Sequence, residues 1–345
     1  MPKVTLQTLA EETGLSKFAV SRALAGKSGV SDATRARVLE AADRLGYSRS
    51  ARRDIKPIGL VFDDTDVINS ELHLQIQSGT QRESERQGYP VRIQWTHFAE
   101  ELAVFAARCS GLLLVGAHHE DSLARAYATG VPIVRLGWVD PLEQVDRVSG
   151  TDHDAGVAVA QYLHNLGHRK IIYVQGVPGY RGRLERLRGL REWFEDKPDA
   201  SVINLVWDDG DSFKDVLRRR FPDGFDATAF FCSHDGLAVT VVSELLSWGY
   251  RIPEDISVIG FGDHAAAKQI LPQLTTVRTP GYEIGVAAVR LILERLRQTD
   301  GAVFPMQIQI PCTLVERNSV APCPAAKRNR MGRRPRRRVP AEPNG

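Results

Sequence analysis

Apolar positions recur at helical spacing in three short runs over the first 46 residues. Leu6, Leu9 and Ala10 share one face of a helix over 6–13, with Thr5 placed to cap it and Gly14 to end it. Ser16 opens a second helix, to about residue 25, that turns Val20, Ala23 and Leu24 inward. Gly26 and Gly29 then break the chain. Ser31 caps a third helix whose inner face is Val38, Leu39, Ala42 and Leu45, stopped by Gly46. Two helices joined by a tight glycine turn and braced by a third form a helix-turn-helix arrangement. Residues 48–57 are polar and basic, with no apolar period. Beyond them, apolar runs predict strands at 58–62, 91–95, 111–115, 132–136, 170–174, 201–207, 227–231, 256–260 and 275–277. Helical patterns intervene at 71–87, 121–129, 155–166, 183–195, 235–248 and 281–298. This alternation implies an α/β body of parallel sheets covered by helices on both faces, and its length suits two lobes. From residue 322 the chain is mostly Pro, Arg and Ala, too poor in large apolar residues to repay its ordering entropy, and it has no leucine heptads. The expected domains are 1–47, a linker 48–57, a body 58–321 and a basic tail 322–345.

Composition narrows the class. The 345 residues are 43% hydrophobic and 25% charged, as in ordinary globular proteins. No apolar run approaches the ~18 residues that cross a bilayer. The start, MPKVTLQTLAEETG, lacks the apolar core of a secretion signal, so no membrane partner and a cytoplasmic location are expected. Cys109, Cys232, Cys312 and Cys323 form no C-x-x-C pair and have no His at ligand spacing. They read as reduced buried thiols, with Cys323 in the tail, and no metal or cofactor is expected. The net charge of +3 hides an asymmetry. Residues 1–53 carry ten bases against five acids, and residues 324–345 carry eight bases against one acid. Two basic ends on an acidic body point to a polyanion held at the ends.

The second helix carries the sharpest chemistry. Positions 16, 17, 18, 21 and 22 fall on its exposed side, so Phe18 stands in solvent between Lys17 and Arg22. That face suits a major groove, where Lys or Arg donates to guanine and an aromatic meets the thymine methyl. Ser16, Ser21, Ser31 and Thr34 suit phosphate oxygens, aided by helix N-termini. The plainer alternative is a small helical protein-interaction module.

These residues carry a resemblance. Val4-Thr5-Leu6-Gln7-Thr8-Leu9-Ala10, Gly14-Leu15-Ser16, Ala19-Val20-Ser21-Arg22-Ala23-Leu24, Val30-Ser31, Thr34-Arg35 and Leu45-Gly46-Tyr47 resemble the lactose-repressor (LacI/GalR) family of bacterial transcription factors. In the body the likeness continues through Gly167-His168, Arg186-Leu187-Arg188-Gly189, Ser233-His234-Asp235-Gly236-Leu237-Ala238, 253–261 and Leu274-Thr275-Thr276-Val277. The resemblance covers about residues 3–319. It implies a homodimeric repressor whose paired reading helices contact a pseudo-palindromic duplex operator, and two periplasmic-binding-protein-like lobes holding a small, carbohydrate-like effector. By position, Lys17, Phe18 and Arg22 would touch base edges. Thr5, Leu6, Ser16, Ser21, Ser31 and Thr34 would fix the backbone register, and Tyr47 would pack at the groove edge.

The sequence departs from that family at the linker. Relatives usually carry a longer stretch, with a short hinge helix that wedges a Leu into the minor groove. Here only 48–57 separate Tyr47 from Ile58, and the wedge is absent. Arg49, Arg52 and Arg53 either substitute electrostatically in a narrow minor groove or serve as a solvated tether. The basic tail is open to two readings as well, sequence-independent phosphate contact or a solubilising extension.

In the body, a ligand is expected at the carboxyl ends of the strands, where the lobes face each other. Arg186 matches the family's effector-contacting arginine. Ser70 and His73 fall where a first-lobe helix meets the cleft. His234 replaces the usual Asn and Gly262 the first of two acids, leaving Asp263, so the effector differs from the best-known sugars. His118-His119-Glu120-Asp121 invites a metal reading, but adjacent side chains rarely chelate together. Gly260-Phe261-Gly262-Asp263-His264-Ala265 mimics a dinucleotide fingerprint, yet lies far from any first β-α-β unit. No nucleophile elbow or H-E-x-x-H occurs, so neither a Rossmann enzyme nor an exported solute-binding protein fits as well as a regulator.

Overall fold

The computed structural model describes residues 4–24, 28–45, 56–65, 69–176, 178–207, 211–298 and 304–324. It divides into two units, Met1–Ile55 and Lys56–Gly345. Tyr47, Arg49 and Arg52, nearly all of the linker, and residues 325–345 of the tail lie outside the described residues.

The first unit holds three helices. In α1 (Leu6–Thr13) the Thr5 side chain accepts from the Thr8 N–H, and the Thr8 hydroxyl accepts in return from the Thr5 N–H. Gly14 ends the helix at φ +64°, a conformation that costs glycine least. Ser16 Oγ accepts from the Ala19 N–H at 3.1 Å and so caps α2 (Lys17–Leu24). Ser31 does the same for α3 (Asp32–Arg44) through the Thr34 N–H. Leu9, Ala10, Val20, Ala23, Val38, Ala41 and Ala42 form the core. Leu39, expected inside, is 48% exposed. Positions 38, 41, 42 and 45 follow the helical repeat, and 39 lies about 100° round from 38, on the flank.

The second unit begins with β1 (Ile58–Phe62), α4 (Ser70–Gln87), β2 (Val91–Trp95), α5 (Ala99–Ala106), β3 (Gly111–Val115), α6 (Glu120–Ala128), β4 (Ile133–Leu136) and β5 (Asp146–Gly150). It continues through α7 (Asp152–Asn165), β6 (Lys170–Val174), α8 (Arg181–Phe194), β7 (Ser201–Leu205), α9 (Phe213–Arg220), β8 (Ala229–Cys232), α10 (Asp235–Ser247), β9 (Ser257–Gly262), α11 (Ala265–Gln269) and β10 (Thr275–Arg278). The chain finishes with α12 (Gly281–Arg297), β11 (Gln307–Ile310) and β12 (Thr313–Val315). Two six-stranded sheets result, in the orders β11-β5-β4-β3-β1-β2 and β12-β10-β9-β8-β6-β7. Every pairing is parallel except β10 with β12. Each sheet is packed on both faces, which is why β1, β3 and β8 are apolar without alternation.

The chain crosses between the lobes after β5, after β10 and between β11 and β12. The crossings lie side by side: a Cβ on Gly150 would meet Cys312 Sγ at 3.2 Å and Pro280 Cδ at 3.8 Å. Each lobe also has a close helix pair. A Cβ on Gly189 of α8 would lie 2.1 Å from the His153 carbonyl oxygen of α7, and one on Gly79 of α4 would lie 2.0 Å from the Tyr282 carbonyl oxygen of α12. Only glycine permits that approach.

Six elements were not expected from the sequence: β5, β11, β12, α5, α9 and α11. In β5 the fully buried run is Asp-Arg-Val-Ser-Gly. Asp146 is held by Arg295 at 2.6 and 2.8 Å, and Arg147 lies over the Trp138 ring, so charge partners stand in for apolar character. Cys323, expected in a tail, is buried, and its N–H donates to the Leu166 carbonyl at 2.8 Å. Cys109 and Cys232 are buried and Cys312 is half-buried.

Candidate functional site

In the first unit, the exposed side of α2 presents Ser16, Lys17, Phe18 and Ser21. Phe18 is 70% exposed. Arg22 is half-buried: its Nε donates to the Ser28 carbonyl at 3.1 Å, and its guanidinium sits 5.4 Å from the Phe18 ring centroid. The arginine therefore ties α2 to Ser28. Thr5 and Ser31 are exposed, while Leu6 and Thr34 are half-buried. Thr5, Ser16 and Ser31 spend their hydroxyls on helix caps, accepting from the Thr8, Ala19 and Thr34 N–H groups.

In the second unit, a cavity of about 330 Å³ lies between the lobes. Carboxyl-end segments of several strands reach it: His118 after β3, Trp138 after β4, Asp152 after β5, and Ser233 and His234 after β8. One carboxylate ties the lobes together. Asp152 Oδ2 accepts from Trp138 Nε1 at 2.6 Å, and Oδ1 accepts from Arg186 Nε at 2.7 Å. Arg186 also donates to the Ser233 carbonyl, and its guanidinium lies 3.4 Å from the Phe261 ring centroid. It is thus fixed on three sides before any ligand arrives. A second bond joins the lobes where the Ala265 N–H donates to the Glu71 carboxylate at 2.9 Å.

Burial and the neighbouring Arg183 and Arg186 push the His234 imidazole down to about 3. Its Nδ1 accepts from the Leu237 N–H, which leaves Nε2 as the donor of the neutral ring. Burial and then Arg135 bring His118 down to about 4. His73 lines the cavity as well, packed 5.0 Å from the Phe62 ring and 5.7 Å from Trp95.

Of the sequence-derived effector residues, His73, Arg186 and His234 meet at this cavity. Ser70 and Asp263 do not line it. Ser70 is exposed at the first position of α4, and the Asp263 carboxylate is taken by Arg317. Gly260 and Gly262 are structural too, since the carboxylate of Asp235 would meet a Cβ at Gly260 and the His264 ring one at Gly262. Sequence reading missed Trp138, Asp152 and Arg183. The available signals were position after the strand expected at 132–136 for Trp138 and one helical turn before Arg186 for Arg183, whereas Asp152 follows β5, which the sequence did not reveal. Among the described residues no helix is long and apolar enough to cross a membrane, and no cluster of His, Cys, Asp and Glu could hold a metal.

A helix-turn-helix unit on the same chain as a two-lobed body with an interlobe cavity defines a class, the DNA-binding transcriptional regulators with a ligand-binding domain. Two family models match parts of the chain, that of the lacI family of bacterial regulatory proteins at residues 5–50 and that of a periplasmic binding protein-like domain at residues 160–320. Among its relatives, a transcriptional repressor PurR of Vibrio atlanticus is 28% identical over 92% of this chain and 98% of that protein. A transcriptional regulator MalR of Streptomyces coelicolor is 29% identical over 93% of this chain and 98% of its own length. The solved complex of the transcriptional regulator CelR with cellobiose is 27% identical at a TM-score of 0.65, covering 92% of this chain and 99% of that one. The lac repressor dimer, solved on its operator, matches the fold at a TM-score of 0.68 with 23% identity, over 92% of this chain and 99% of that one.

Proposed function

We propose that the protein is a cytoplasmic repressor, without enzymatic activity, that binds a pseudo-palindromic operator as a homodimer and is released from it by a carbohydrate-like molecule held between its lobes. The observation that carries this reading is Phe18. A large aromatic standing 70% exposed beside Lys17 on a short capped helix leaves apolar surface in water, an arrangement that makes sense when the face meets base edges. The complex of CelR with cellobiose supports a carbohydrate-like effector, and relatives named as repressors support repression. Lys17, Phe18 and Arg22 are assigned to base edges, Thr5, Leu6, Ser16, Ser21, Ser31 and Thr34 to the phosphate backbone, Tyr47 to the groove edge, and Arg49 and Arg52 to the minor groove. His73, Arg186 and His234 are assigned to the effector. Selection from a randomised duplex pool tests the first half: the chain enriches a palindromic site, and Arg22→Lys with Phe18→Gln changes the preferred bases. Unchanged preference would overturn it. Melting curves against sugars, polyols and sugar acids test the second, with Arg186→Ala abolishing any ligand-induced rise in Tm.

A further inference from the structure

The cavity's chemistry is lopsided. Its lining holds four arginines against two aspartates. Asp140 is exposed, and both oxygens of Asp152 are taken by Trp138 and Arg186. A neutral sugar needs acceptors for its hydroxyl protons, and here the lining carboxylates are spent or exposed; Arg135 and Arg181 are likewise engaged by Glu143 and Glu185, so the cationic face that counts is that of Arg183 and Arg186. Arg183 and Arg186 lie one turn apart on α8, where side chains share a face, and both line the cavity. From the first lobe, His118, only 8% exposed, has no hydrogen-bond partner at either ring nitrogen, and buried Ser149 Oγ has none either. Buried polar atoms carry a desolvation cost until a partner arrives.

We propose that the cavity takes a small polyhydroxylated oxyanion, a sugar acid or sugar phosphate, with its negative group at Arg183 and Arg186 and its hydroxyls at His118 and Ser149. This rests on the cavity being the effector site. Guanidinium forks match the paired oxygens of a carboxylate or a phosphoryl group better than they match single hydroxyls. The neutral imidazole of His118 supplies one donor and one acceptor, the complement of a hydroxyl pair. Trp138 and Tyr180 add aromatic surface for a ring face. The volume, about 330 Å³, sits at the small end of the ~300–1,000 Å³ range of ligand sites and favours a single sugar ring over an oligosaccharide.

Calorimetric titration of the full chain with D-glucuronate, D-galacturonate, D-gluconate and D-glucose 6-phosphate, each against its neutral parent, tests this. At least one anion binds about tenfold or more tightly than its parent, a difference of ~1.4 kcal/mol per decade. The carboxylate and phosphate arms separate the two sources. Arg183→Gln erases that preference, and Arg183→Lys, which keeps the charge without the fork, retains part of it and guards against a folding defect in the first variant. Neutral sugars binding as well as the anions, or no anion binding at all, overturns the proposal. Mobility shifts are scored in parallel: sequence-specific DNA binding that persists while the anions fail sinks only this inference, whereas its loss sinks the regulator reading itself.

Discussion

Gly189 offers the sharpest test of how the fold places the cavity's arginines. Its α-hydrogen faces the backbone of α7, and an alanine Cβ would lie 2.1 Å from the His153 carbonyl oxygen. Restoring ordinary contact at 3.4 Å requires the helices to part by about 1.3 Å. Alanine gains ~1 kcal/mol of helix propensity over glycine. Overpacking costs ~1–3 kcal/mol, and two backbones in contact have no side chain to rotate away, so the upper figure applies. The net loss is about 2 kcal/mol, which at ~2–4 °C per kcal/mol lowers Tm by about 4–8 °C. Arg186 rides on the same helix, so its bond to Asp152 lengthens and ligand affinity falls about tenfold, the order expected for a charged hydrogen bond. The partner glycine sharpens the test. A Cβ on Gly156 would lie 2.2 Å from the Arg186 carbonyl oxygen, across the same crossing. Once the helices have parted for one alanine the second finds room, so Gly156→Ala with Gly189→Ala costs clearly less than the sum of the singles. Melting curves and titration calorimetry on the four proteins decide it. A Gly189→Ala chain with unchanged Tm and affinity, or strictly additive costs, refutes the close crossing as the constraint.

Leu9→Ala removes a fully buried side chain from a small core, at a cost of ~2–5 kcal/mol that a unit of this size cannot absorb. DNA binding in a mobility shift is lost while the main calorimetric transition of the second unit keeps its Tm. His118 makes stability pH-dependent. Above pH 6.5 its ring is neutral in folded and unfolded chains alike, and between 6.5 and about 4 only the unfolded chain takes up the proton. His118 therefore takes up to about 3 kcal/mol of stability away as pH drops through that window, and His118→Gln makes the fall of Tm with pH shallower there, the remainder coming from His234, which is held lower still. Glu71→Ala removes the acceptor of the Ala265 N–H, weakens the lobes' approach and lowers effector affinity several-fold by calorimetry without changing the apo Tm by more than about 2 °C.

Local signals made the first unit readable. Thr5, Ser16 and Ser31 announce three helix starts, Gly14 announces a stop, and all act within four residues of chain. The apolar runs of β1, β3 and β6 were equally plain, because a strand covered on both faces has nowhere to place polar side chains. What stayed hidden depends on partners distant in sequence. The strand β5 reads as a loop until Arg295 arrives to neutralise Asp146. Asp263 matches an effector position by sequence, yet Arg317, 54 residues on, claims its carboxylate. Arg186 was visible by its place in a motif, whereas Asp152 and Trp138, which orient it, come from either side of a lobe crossing that no local pattern records.

The Asp152 carboxylate joins these parts into one device. It holds Trp138 from the first lobe with one oxygen and Arg186 from the second with the other. An oxyanion reaching Arg186 competes for the guanidinium that Asp152 holds, and so perturbs the group that also binds Trp138. Two unit charges 4 Å apart at an effective dielectric of ~20 interact by about 4 kcal/mol. That is the order of the ~5.5 kcal/mol of differential affinity needed to carry a two-state equilibrium from 1:99 to 99:1. A neutral ligand acting on hydroxyl contacts alone, at ~0.5–1.5 kcal/mol each, needs several bonds that differ between the two lobe spacings to do the same. On the proposal of an anionic ligand, the Asp152 bonds would give it a route to lobe spacing through a single charge, and the three crossings packed around Gly150 would confine that motion to a hinge.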